Sequence, residues 1–278
     1  FNQSYTGDDD FAREFLREKK FHWAVSHALN REEISELFHY GRGKPRQPGP
    51  IEQSPYFAGG RRYVHTALEY DLAKANRLLD ELGLTRRGPH GFRLRPDGKP
   101  LALTVDYSPN YEKSLQAEYF NQKCLVPLGI RGIHKPFSGQ RGYAGLAMIL
   151  LGGSGGRMQE LISPSFIPTY RHLYWATQYG LWYESNGRQG WKPPRDIARM
   201  HEIYDRIKAC PDREERYRLM GEVWDLHAEN LWYIGSLGEL PQVALVHRRA
   251  GNVPRTAVAD WVFKTPGNAH PEQFYCKW

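Results

Sequence analysis

The stretch FHWAVSHALNREEI, Phe21 to Ile34, encodes two helices joined at one asparagine. Phe21, Ala24, Val25, Ala28 and Leu29 recur at three- and four-residue spacing, which places them along one helix face. Asn30 then offers a side-chain oxygen to a new helix N-terminus. Glu33 stands at the capping-box position, and Ile34, Leu37 and Phe38 continue the apolar face. Helix signals fill residues 11 to 38 as a whole, beginning with FAREFLREKK.

Working outward, residues 41 to 60 are rich in Pro and Gly and predict a long loop. YDLAKANRLLDELGL, Tyr70 to Leu84, predicts a helix with Asp71 as N-cap, a buried stripe of Leu72, Ala75, Leu79 and Leu82, and Gly83 as its stop. GFRLRPDGKPLALTVDY predicts a hairpin that turns around Pro96, Asp97 and Gly98, with Leu101, Leu103, Val105 and Tyr107 alternating along its second strand. A helix over 112 to 125 leads through LGIRGIHKPF, a short strand, to GLAMILL, whose unbroken apolar run predicts a strand buried on both faces. A loop crowded with rings follows, YRHLYWATQYGLWYESNGRQGWKPP. Two helices come next, PRDIARMHEIYDRIKAC and DREERYRLMGEVWDLHAENL, joined by a Pro-Asp turn. The last forty residues read as strand and irregular coil. This alternation of strands and helices specifies an α/β fold.

Composition narrows the function classes. The 278 residues are 40% hydrophobic and 25% charged, ordinary for a globular chain long enough to bury a sizeable core. The 17 Tyr, 12 Phe and 8 Trp are many for that apolar total, so rings are expected to line surfaces as well as cores. The net charge of +7 is scattered, and no nucleic-acid-binding motif accompanies it. Cys124, Cys210 and Cys276 are an odd number without a CxxC pair, which predicts buried thiols and neither a zinc site nor a disulfide framework. HEIYD at 201 lacks the second histidine of HExxH, so neither a metal site nor a cofactor is expected. No apolar run is long enough to span a bilayer.

LLGGSGG, Leu150 to Gly156, carries the strongest local signal for a site. It has no GK[ST] and no GxGxxG spacing, and Pro164 cuts short any helix after it, so a phosphate cradle is disfavoured. Gly152, Ser154 and Gly156 do satisfy Gly-x-Ser-x-Gly, the turn that presents a nucleophilic serine. Asp196, Asp205, Asp212, Asp225, His201, His227, His247 and His270 lie downstream as partners for such a serine. A serine hydrolase is therefore the alternative to a binding protein, and a purely structural glycine turn is the alternative to both.

Four motifs in order resemble one family. FHWAVSHALNREEI, YDLAKANRLLDELGL, RLRPDGKPL at Arg93 to Leu101 and LGI at Leu128 to Ile130 are similar to the extracellular solute-binding proteins of peptide- and opine-type ABC importers, family 5. The similarity continues through LWYESNGRQGWKPP and ENLWYIGSLGELP to GNVP at 251 to 254.

The resemblance implies a class II, periplasmic-binding-protein-like lobe, a mixed sheet flanked by helices. It implies a non-enzymatic receptor, monomeric when complete, that closes around a peptide or small solute and delivers it to a membrane permease. The location it implies is periplasmic or extracellular, with a possible membrane anchor. Phe1 to Gln3 would sit where the chain crosses into the second lobe, residues 1–238 would form that lobe, and 239–278 would return to complete a first lobe that precedes this sequence. In the family the glycine turn brings an aspartate to the ligand's ammonium group, and here that position holds Ser154. The expected ligand-binding residues are Gly152, Gly153, Ser154 and Gly155, with Tyr174, Trp175, Tyr179, Trp182 and Tyr183 as stacking walls. A neutral hydroxyl does not replace the Coulomb attraction of a carboxylate, which contributes to the roughly 1.5–3 kcal/mol of a charged hydrogen bond. Opines and sugar-like solutes therefore stand beside peptides as expected ligands.

Overall fold

The computed structural model describes residues 1–109, 111–137, 143–150, 165–240, 244–257 and 267–277. A parallel three-stranded sheet lies at its centre, in the order β3-β2-β4, built from β2 (Ala102–Tyr107), β3 (Arg131–Pro136) and β4 (Met148–Leu150). β2 pairs with β3 from Ala102 opposite Arg131 to Tyr107 opposite Pro136, and with β4 from Val105 opposite Met148 to Tyr107 opposite Leu150. The antiparallel part of the expected mixed sheet is separate: short pairs join β1 (Lys44–Pro45) to β5 (Leu237–Gly238) and β6 (Ala250–Gly251) to β7 (Tyr275–Cys276).

The predicted hairpin is only half present. Its turn exists, with Gly98 in the left-handed region at φ +80° and a bridge from Leu94 to Pro100. The second strand then leaves its expected partner and becomes the central strand of the parallel sheet. Leu103 and Val105, at the strand period of two, turn one face of that sheet onto a buried core. Helices α2 (Lys19–His27) and α5 (Leu72–Asp80) cover this face, together with α6 (Tyr111–Phe120) and the π-turn Asn121–Leu125 that extends it. Phe21, Ala24 and Val25 from α2 meet Ala75 and Leu79 from α5, Leu125 at the end of the π-turn and Leu128 beyond it.

The caps read from the sequence are in place. Asn30 accepts from the Glu33 N–H at 3.1 Å to start α3 (Arg31–His39), and Asp71 accepts from the Lys74 N–H at 2.8 Å to start α5. Asp9 caps α1 (Asp10–Phe15), and Asp212 caps α9 (Arg213–Asn230).

A second core, rich in rings, is formed by α4 (Phe57–Val64), α7 (Thr177–Glu184), α8 (Arg195–Ala209), α9 and the segment 165–176. Two of these helices depart from the expected loops. α4 starts inside the breaker-rich stretch, and its Gly59 and Gly60 are contact surfaces: a Cβ on Gly59 would lie 2.8 Å from the Cα of Gly221 on α9. α7 forms within the aromatic loop, where a Cβ on Gly180 would lie 2.1 Å from the Tyr170 carbonyl oxygen. Close helix packing, and not chain reversal, is what these glycines serve.

The cores are joined by buried polar groups. His22 on α2 sits between the Leu16 carbonyl at 2.8 Å and the Asn230 carbonyl at 2.7 Å. Arg31 donates to the carbonyls of Ser26, Leu68 and Gly235 and to the Ser26 hydroxyl. Gln47 donates to the same hydroxyl and accepts from the Gly235 N–H at 2.7 Å, so Gly235 is held at both its N–H and its carbonyl just before β5.

Candidate functional site

The order β3-β2-β4 creates a switch point. From β2 the chain goes to β3 on one side of the sheet and then returns to pair on the other side as β4, so the order of strands reverses at β2. Open α/β sheets bind their ligands in the crevice outside the carboxyl ends of the strands at such a point. Here the carboxyl ends at the switch point are those of β2 at Tyr107 and β4 at Leu150.

The first residues of the chain tie the approach to β4 to the ring-rich segment. Asn2 donates its side-chain amide to the carbonyls of Tyr143, Ala144 and Leu146 at 3.0, 3.1 and 2.9 Å, and its N–H reaches the Ala147 carbonyl. Gln3 donates its N–H to the Trp175 carbonyl, and Thr6 donates to that of Ala144. Residues 2–6 thereby fix the approach to β4 on one side and the start of the ring-rich segment on the other. Asp106, next to the end of β2, is 1% exposed, and its carboxylate contributes with Asp9 and Asp8 to raising the Tyr5 hydroxyl pKa, behind burial as the main cause.

Phe137 immediately follows β3 and donates its N–H to the Tyr107 carbonyl at 2.7 Å. Its ring lies nearly parallel to that of Tyr143, with centroids 5.5 Å apart and planes at 15°. Tyr143 in turn meets Tyr174 edge-on, at 4.7 Å and 79°. All three side chains are half-buried. Burial, and then the neighbouring Tyr174 hydroxyl, raise the Tyr143 pKa, so its hydroxyl keeps its proton at neutral pH.

The sequence-predicted residues divide among three settings. Gly152, Gly153, Ser154 and Gly155 follow β4 in the chain and lie outside the described residues. Tyr174 stands in the ring row. Trp175 and Tyr179 belong to the second core: Trp175 stacks on Trp232 at 5.1 Å and donates its indole N–H to the Ser165 carbonyl, and the Tyr179 hydroxyl donates to the Gln3 carbonyl. Trp182 borders the turn at Gly187, and Tyr183 faces α8, where it donates to Asp205 and accepts from Lys208 at 2.6 Å. Phe137, Tyr143 and Asn2 escaped the sequence reading. A lone Phe after a Pro, a Tyr ahead of an apolar run and an Asn near the start of the chain carry no periodic signal.

Two histidines named as partners for a nucleophilic Ser154 are occupied elsewhere. Nε2 of His201 bonds the Pro168 carbonyl at 2.6 Å, and Nε2 of His227 bonds the Phe166 carbonyl at 2.8 Å. His227 is ringed by Tyr63, Phe166, Trp175, Trp224 and Trp232, and burial lowers its pKa to about 4. Among the described residues no three His, Cys, Asp or Glu side chains gather to hold a metal ion, and no helix is long and apolar enough to cross a membrane. Cys124 is buried, and burial raises its thiol pKa, whereas Cys276 is exposed.

Comparison with known proteins places this geometry. No curated protein matches the chain. Residues 1–131 match the family described as bacterial extracellular solute-binding proteins, family 5, middle region. Among solved structures, the oligopeptide-binding protein OppA superimposes with a TM-score of 0.81 at 29% identity, over 100% of this chain and 46% of that one. The periplasmic binding protein MelB from Agrobacterium fabrum C58, in complex with stachyose, matches with a TM-score of 0.66 at 19% identity, over 84% of this chain and 36% of that one. NikA from Brucella suis, in complex with Fe(III)-EDTA, matches at 0.60 and 20% identity, over 80% and 42%. The chain thus spans less than half the length of these proteins. It has the class II periplasmic-binding-protein fold, and its residues 1–131 match the family of bacterial extracellular solute-binding proteins, family 5.

Proposed function

We infer that the chain is the greater part of one ligand-binding lobe of an ABC-importer receptor, which captures a peptide, an opine or a similar small polar solute and presents it to a membrane permease. The observation that carries this reading is the switch point at the carboxyl ends of β2 and β4, in a chain that aligns over its whole length with an oligopeptide-binding protein. Gly152 to Gly155 continue the chain from β4 and form the floor of the crevice in this reading, with Tyr174 on its wall. Residues 1–238 make up the lobe, and 239–278 return toward a first lobe. The receptor acts outside the cytoplasmic membrane, as its family does.

Capture works by population shift. A solute that touches both lobes binds the closed form more tightly than the open one, and closure is the state that the permease reads. The binding step itself makes and breaks no covalent bond.

A melting series on the full-length natural protein tests this. One solute from a panel of peptides, opines and neutral oligosaccharides should raise the melting temperature by several degrees. Binding to the folded state alone contributes about 2.7 kcal/mol at a hundredfold excess over Kd. A panel without any such shift, together with ester hydrolysis that vanishes in Ser154→Ala, would replace capture by catalysis.

A further inference from the structure

We propose that the row Phe137–Tyr143–Tyr174 is a stacking subsite for an uncharged, hydroxyl-bearing ring ligand, of the carbohydrate class. The inference rests on the solute-capture reading and names the chemistry of its ligand.

The three rings form a corner. Phe137 and Tyr143 lie nearly parallel, and Tyr174 stands almost perpendicular to them. Each ring is only partly buried, and an aromatic face accepts the flat C–H side of a sugar ring, whereas phenol hydroxyls suit the alcohol groups around its edge. The Tyr143 hydroxyl is hydrogen-bonded to Tyr174, so the pair offers one further O–H donor and several lone pairs without a formal charge. That set suits alcohols and offers no cation to pair with a carboxylate.

The corner is also preorganised. Asn2 takes up the carbonyls of Tyr143, Ala144 and Leu146, Thr6 adds a bond to that of Ala144, and Phe137 is tied to the end of β2. Holding the rings in place before binding lowers the entropy lost on capture. Asn2 is accordingly a positioning residue for this subsite.

The test is calorimetric titration of the full-length natural protein, and of its Tyr143→Ala and Tyr143→Phe variants, with stachyose, raffinose and maltotriose and with trialanine and trilysine. The expected result is that at least one oligosaccharide binds, that Tyr143→Ala weakens it at least tenfold, and that Tyr143→Phe, which keeps the ring, weakens it less. Circular dichroism of the Phe variant checks that the fold survives. Sugar binding that is equally strong in Tyr143→Ala would overturn the subsite. Binding of a peptide and of no sugar would overturn the ligand class and leave solute capture standing. Failure of every sugar to bind removes the proposal, and the capture reading falls with it only if the peptides and opines of the melting panel fail as well.

Discussion

Arg31 shows how a single side chain ties the molecule together. It is 2% exposed, and burial lowers its pKa to about 10, which leaves it charged at neutral pH. It donates hydrogen bonds to the carbonyls of Ser26, Leu68 and Gly235 and to the Ser26 hydroxyl. Hydrogen bonds from a charged donor contribute about 1.5–3 kcal/mol each, and truncation leaves the buried acceptors without their partner. Arg31→Ala should therefore lose about 2–4 kcal/mol in urea denaturation. Arg31→Lys should recover only part of that, because an ammonium lacks the planar fork.

His227 gives a pH signature. Its pKa in the folded chain is about 4, against 6.5 when exposed, because burial among rings disfavours the cation. Above pH 6.5 both states are neutral and the residue adds no pH dependence. Between 6.5 and 4 only the unfolded chain takes up the proton, so stability falls as the pH falls. The loss saturates below 4 at about 3 kcal/mol. Denaturation midpoints at pH 7 and pH 5 should differ less in His227→Gln than in the natural protein. An identical drop in both would show that His227 does not titrate in this way.

At the scale of elements, the sequence was legible wherever a periodic apolar stripe met a cap. α3, α5 and α9 follow that rule, with the oxygens of Asn30, Asp71 and Asp212 where capping puts them, whereas α2 and α8 were legible from the stripe alone. α4 and α7 were illegible because their glycines look like breakers, and only the three-dimensional approach of a second backbone gives them another purpose. The fate of the second strand of the hairpin was equally hidden. Strand alternation specifies which face is buried, not which partner is taken, and β2 chose β3 and β4 over the nearby 91–95 segment. The same limit applied to the site: Tyr174 was named from its ring-rich surroundings, whereas Phe137 and Tyr143 become neighbours only once β3 and β4 flank β2. The α4–α9 contact gives a direct test. Gly59→Leu should lower the melting temperature by driving the helices apart, at a cost of about 1–3 kcal/mol. A neutral result would mean that α4 does not pack on α9 at Gly221.

For the whole molecule, the two connections that hinge closure would use in the proposed receptor are both held by buried polar groups. Asn2 and Gln3 are bonded to the approach of β4 and to Trp175, and Gly235 is gripped by Arg31 and Gln47. In the proposed receptor, connections held in this way would let the lobe move as a rigid unit during closure. Small-angle X-ray scattering on the full-length natural protein, titrated with the solute that raises its melting temperature, tests capture by closure most directly. The account predicts a radius of gyration that shrinks as the solute saturates the protein, with the same half-point as binding. A solute that binds fully and leaves the radius unchanged would contradict it.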